Sequence, residues 1–129
     1  MKLLDRIWLW GSASFGLSSV WAVAEEITFS EHVAPVIYQN CVECHNPDGI
    51  GPFSLLTYED VKRRSQQIVE VTQRGFMPPW KPDSGYGPSL IGERSLTEEE
   101  KKTLLKWHSD SHPLGDMQGM PQIPDITQG

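Results

Sequence analysis

Cysteine is scarce in this chain, with two in 129 residues. Two thiols rule out a multi-disulfide scaffold, and no second cysteine pair exists to complete a four-ligand zinc site. A basic surplus is also missing. Eleven Lys and Arg stand against seventeen Asp and Glu, for a formal net charge of −6, which argues against nucleic acid or an anionic membrane surface as partner. Long apolar runs are absent as well. The most apolar stretch, Ile7 to Val20, is broken by Gly11, Ser12, Ser14, Gly16, Ser18 and Ser19, short of the roughly 20 unbroken apolar residues of a spanning helix. No alternation of strand and helix patterns is visible, and no catalytic base or nucleophile stands out.

What the chain does have begins with a leader. Lys2 and Arg6 form a positive start, the interrupted apolar stretch follows, and Ala22-Val23-Ala24 supplies a small-residue cleavage pattern before Glu25. Residues 1–24 therefore read as a secretory signal peptide, with membrane attachment expected only if that signal stays uncleaved. Without it the chain is 105 residues long, one small domain with a modest core. Lys2, Arg6 and Asp5 carry a net +1, so the charge moves from −6 to −7. An acidic exported domain suits a basic partner.

Both cysteines fall in Cys41-Val42-Glu43-Cys44-His45, the C-x-x-C-H pattern of c-type haem attachment. Two thiols three positions apart on a turn reach the two vinyl groups of one haem, and the next residue offers an imidazole to the iron from the same side. Other readings stay open: a thioredoxin-like dithiol, which expects a βαβ context; half of a zinc site; a disulfide; or a chance pairing on a loop. Export agrees with the haem reading, because covalent attachment in bacteria takes place outside the cytoplasm, so a periplasmic or otherwise exported location is expected.

Periodicity predicts three helices separated by long loops. Phe29, Val33, Ile37 and Cys41 form one apolar stripe from about Ser30 into the motif, with Pro35 bending the first turn or delaying the helix. Thr57 with Asp60 resembles a capping box opening a helix from Tyr58 to Arg74, with Val61, Ile68, Val69 and Thr72 inward and Gly75 ending it. Lys62, Arg63 and Arg64 read as a solvated face. Thr97 with Glu100 forms a second box, opening a helix from Glu98 to about Ser109. Trp107 on that helix is expected to anchor against both the first helix and the haem. Residues 115–129 read as a Gly/Pro-rich tail without a packing pattern, leaving 25–114 as the haem domain.

A sixth iron ligand is expected from Phe76-Met77-Pro78-Pro79-Trp80, where prolines stiffen the loop around Met77. A Met filling a core gap is the plainer alternative. Met117 and Met120 lack such a frame. His32 is expected to face solvent, His108 to sit partly exposed at a helix end, and Tyr86 either to cover a haem edge or to pack on the surface. A backbone carbonyl near Gly51 or Pro52 is expected to accept the ring N–H of His45 and so orient it.

With these residues in hand, the chain resembles class I-type cytochrome c domains. Phe29-Ser30-Glu31-His32-Val33-Ala34-Pro35 ahead of C-x-x-C-H looks like the opening helix of such domains. Pro52-Phe53-Ser54-Leu55-Leu56-Thr57-Tyr58 and Met77-Pro78-Pro79-Trp80 are similar to exported bacterial haem domains joined to a second redox module, copper monooxygenase-like or thioredoxin-like. The resemblance implies a small all-α fold around one covalent haem c, with Cys41 and Cys44 bonded to the haem and His45 and Met77 on the iron. It implies single-electron transfer to a redox partner protein or fused module, and a carrier more than a catalyst. An open-site haem enzyme or a gas or peroxide sensor is the alternative.

Overall fold

An apolar residue every fourth position gives the first element its buried face, and a proline sets where the regular helix begins. A computed structural model describes residues 25–79 and 94–126. The expected leader, Trp80 and Tyr86 lie outside those residues. Phe29–Val33 forms a wide, π-type turn in which His32 and Val33 both donate to the Thr28 carbonyl. Helix α1 follows over Ala34–Asn40. Pro35 stands in its first turn, where a missing N–H and a fixed φ are tolerated; the α-helical onset is thus delayed past Ser30. Phe29, Val33 and Ile37 are fully buried along the expected stripe.

Helix α2 spans Tyr58–Gln73 and α3 spans Glu98–Ser109. Among the described residues there is no strand, so the fold is all-α with three helices. No helix there is long and apolar enough to cross a membrane. The two caps differ in detail. At α3 the box is complete, because Thr97 accepts from Glu100 N at 3.2 Å and the Glu100 carboxylate takes Thr97 N–H at 2.7 Å. At α2 Thr57 accepts from Asp60 N at 3.1 Å, while the shorter Asp60 carboxylate takes the Thr57 hydroxyl proton and not the backbone N–H. Replacing Thr97 with Ala is expected to destabilise the domain by about 1 kcal/mol, read as a lower urea midpoint at unchanged slope.

The inner face of α2 carries Val61, Ser65, Ile68 and Thr72, all buried, while Val69 is half-buried. Trp107 of α3 is 1% exposed and is the hub of an aromatic cluster with Phe29 at 5.8 Å, Tyr58 at 6.2 Å and His112 at 4.7 Å between ring centres. Its indole N–H donates to Pro113 O at 2.9 Å. The segment after α3 then returns to the start of the domain. Phe29 N–H donates to Pro113 O at 2.8 Å and Ser30 N–H to Leu114 O at 3.0 Å. Ser111 and His112 take left-handed backbone conformations to make that return. The tail is more than the packing-free run expected: Met120 and Ile126 pack against the core.

His32 departs from its expected solvent-facing role. Its side chain is 23% exposed, and its Nδ1 accepts from Thr28 N–H at 3.1 Å. That leaves the ring proton on Nε2, 3.8 Å from Glu25, so this ring caps the π-type turn.

Candidate functional site

The end of α1 sets the spacing of the motif. Cys41 closes the helix through its N–H to Ile37 O at 2.8 Å, and the chain then makes one more turn, with His45 N–H donating to Cys41 O at 2.9 Å. Residues at i, i+3 and i+4 of a helical turn share one side. Cys41, Cys44 and His45 accordingly line one cavity, while Val42 turns into the core at 1% exposed. Asn46 locks this turn from behind. Its amide donates to Val42 O at 2.8 Å and Glu43 O at 3.0 Å, and its carbonyl accepts from Asp48 N–H at 2.9 Å.

The loop 46–55 folds back onto the motif through Gly51 N–H to Cys44 O at 2.8 Å and Leu55 N–H to His45 O at 3.0 Å. This return brings Phe53 O to 3.1 Å from His45 Nδ1. A carbonyl only accepts, so the proton is on Nδ1 and Nε2 keeps the ring's free electron pair. The accepting residue is Phe53, directly after Pro52 and so within the stretch expected. The Phe53 ring also lies 4.8 Å from the His45 ring, tilted by 34°, and the Arg64 guanidinium sits 4.4 Å from the Phe53 centre. Arg64 therefore stacks on an aromatic face, and Lys62 lies 5.3 Å from the Tyr58 ring; neither is simply a solvated charge.

A second wall comes from the end of α2. Gly75, in a left-handed conformation, donates to Thr72 O at 3.1 Å, and Phe76 N–H donates to Val71 O at 2.9 Å. This is the paired-bond ending that favours Gly at the position after the cap. Met77 follows at once, its own N–H donating to Val71 O at 3.2 Å. Met77 lines the same cavity as Cys41, Cys44 and His45. The cavity measures about 290 Å³, and Ile50, Phe53, Leu55, Ile68, Val71 and Pro78 give it an apolar lining. Arg94 closes one edge and pairs with Glu43 at 2.8 Å. Trp107 does not line this cavity, and neither do His32, His108, Met117 or Met120.

Cys41 and Cys44 are both free. Burial, then the neighbouring Cys44 and Glu100, pushes the Cys41 thiol up to about 12. Among the described residues, no group of three or more His, Cys, Asp or Glu comes together to hold a metal ion. The site offers two thiols, an imidazole held by its far nitrogen and a thioether around one apolar space, a donor set that fits a covalently held haem.

Gly51 is a direct test of this geometry. A Cβ at that position would stand 2.7 Å from His45 Nδ1 and 2.8 Å from Cys44 O. Gly51→Ala is expected to push the imidazole off Phe53 O at a cost of about 1–3 kcal/mol. The check is the urea midpoint; an unchanged value would mean that the loop gives way freely.

Compared with known proteins, the chain matches no family model, and neither a characterised protein nor a solved structure matches it significantly.

Proposed function

We propose that this is an exported mono-haem c-type cytochrome domain, with Cys41 and Cys44 as thioether anchors and His45 and Met77 as the two iron ligands, and that it carries single electrons to a redox partner. The observation that carries the reading is the convergence of Cys41, Cys44, His45 and the distant Met77 on one apolar cavity. Haem, when bound, supplies a one-electron couple that the protein tunes.

The chain's own residues account for the rest. Phe53 O holds the Nδ1 proton of His45, which fixes the tautomer and the ring angle and leaves the Nε2 pair free to bind. The apolar lining keeps water away, so little solvent reorganises when the charge of the site changes. Met77 hangs from the rigid end of α2, so the thioether is presented without a large ordering cost. Arg94 and Arg64 place cationic groups beside the site, where carboxylates of a bound cofactor would be met.

Met77 is 41% exposed, and that exposure supports a second reading in which the sixth position opens to a gas or peroxide. One experiment separates them. The protein is produced with haem-attachment machinery, its absorption spectrum is recorded oxidised and reduced, and carbon monoxide is added. Low-spin covalent haem with a Met-to-iron charge-transfer band, unmoved by the gas, supports the carrier. A high-spin spectrum that shifts supports the open site, and failure to attach haem sinks both.

A further inference from the structure

Away from the cavity, three side chains from two helices and the return segment meet. Ser65 Oγ lies 2.9 Å from His108 Nδ1 and 2.7 Å from His112 Nε2, and the two ring nitrogens are 3.3 Å apart. Ser65 is buried, while both histidines are half-buried and reachable from solvent. None of the three lines the apolar cavity.

How many protons lie inside this triangle depends on the two ring tautomers. A hydroxyl has one proton to give, and a neutral imidazole carries its proton on one nitrogen only. His108 Nδ1 and His112 Nε2 both face Ser65, and each presents an electron pair there when its proton sits on the other ring nitrogen. Three electron-rich atoms then face one another with the hydroxyl proton between them. Protonating both rings would set two positive charges side by side.

The edge lengths match a known shape. Bonds of about 2.1 Å place neighbouring ligand atoms ~3.0 Å apart in an octahedron and ~3.4 Å apart in a tetrahedron. Edges of 2.7, 2.9 and 3.3 Å centre on the octahedral value and are too short for a tetrahedral face, with the remaining positions left to water. We infer that His108 Nδ1, His112 Nε2 and Ser65 Oγ form a binding site for a borderline divalent cation, Zn²⁺ or Cu²⁺.

Imidazole donors select these ions, and the absence of any carboxylate in the triangle disfavours Ca²⁺ and Mg²⁺, which take oxygen ligands. The surroundings hold the donors in place. Trp107 meets the His112 ring edge to face at 4.7 Å, and Tyr58 donates its hydroxyl proton to His112 O at 2.8 Å. Lys62 is the opposing group: its charge reaches His112 from α2 and weakens the site.

The test uses full-chain protein with Cys41 and Cys44 either thioether-bonded or alkylated, so that the cysteines do not take up metal and the outcome does not depend on the haem reading. Equilibrium dialysis against Zn²⁺ is expected to give one bound ion per chain. His108→Gln, and His112→Asn chosen because Asn tolerates the left-handed backbone there, should each weaken binding at least tenfold. Ser65→Ala should weaken it less, and Lys62→Gln should tighten it. Cu²⁺ spin resonance should show coupling to two nitrogens in the parent and one in His108→Gln. Thermal midpoints confirm that each variant is folded, and should His112→Asn fail to fold, His108→Gln decides. No Zn²⁺ retained, or retention equal in the parent and His108→Gln, overturns the site and leaves a plain hydrogen-bonded cluster.

Discussion

In haem-loaded protein, Met77→Ala is expected to turn a spectrum that ignores carbon monoxide into one that shifts on its addition, and to lower the reduction potential. Met77 is placed by the paired-bond ending of α2 and by its own N–H to Val71 O, so truncating the side chain removes the thioether while leaving the backbone frame. The iron then loses the donor that favours its reduced state. Axial ligands span about 0.8 V of potential between them, and loss of a Met is expected to use an appreciable share of that range. The charge-transfer band should vanish in the oxidised protein. Unchanged potential and unchanged gas response would place the sixth ligand elsewhere and return Met77 to the role of a half-exposed apolar side chain.

Trp107→Ala is the largest stability change expected. The indole is buried at the meeting of Phe29, Tyr58 and His112, and losing it leaves a cavity costing about 3–5 kcal/mol. Against a total of about 5–15 kcal/mol for a domain, that is enough to bring the urea midpoint down by about a fifth or more, or to unfold the chain near body temperature. Pro113 O keeps the Phe29 N–H as donor after the indole is gone, so the loss is mainly one of packing. Trp107→Phe should therefore recover most of it. Because Trp107 does not line the cavity, the haem spectrum of folded Trp107→Phe should match the parent; a shifted spectrum would mean that the indole acts on the site after all.

That last point marks a limit of the sequence. A large aromatic on an apolar helix face must be buried, but periodicity does not name its neighbours: Trp107 meets Phe29 of the opening element, as expected, and also Tyr58 and His112, which were not. Local signals read well. The stripe ending at Cys41, the Thr57 and Thr97 caps and the Gly75 stop each depend on residues within one or two turns, and α2 and α3 run within a residue of their expected bounds. The acceptor for His45 was legible as a carbonyl near Gly51 or Pro52, though not as Phe53 itself, because the fold-back of residues 46–55 depends on two backbone bonds that no side chain announces. Ser65, His108 and His112 were not legible as a group. Ser65 shares a stripe with Val61 and Ile68, and its partners arrive from another helix and from a left-handed return. Arg94 against Glu43 had no local signal at all.

The two backbone bonds from Phe29 and Ser30 to Pro113 and Leu114 have a consequence for how the chain is made. They join the first described turn to the segment after α3, so contacts of high sequence separation close the fold. During synthesis the opening turn has no partner until Leu114 has emerged, well after Cys41 and Cys44 have left the ribosome. Asn46, Phe53 and the wall of α2 precede Leu114 in the chain, and the bonds that close the motif involve none of the residues after α3. The last stitch of the fold therefore ties its beginning to its end, and a chain cut short of Pro113 would leave the N–H groups of Phe29 and Ser30 without these acceptors.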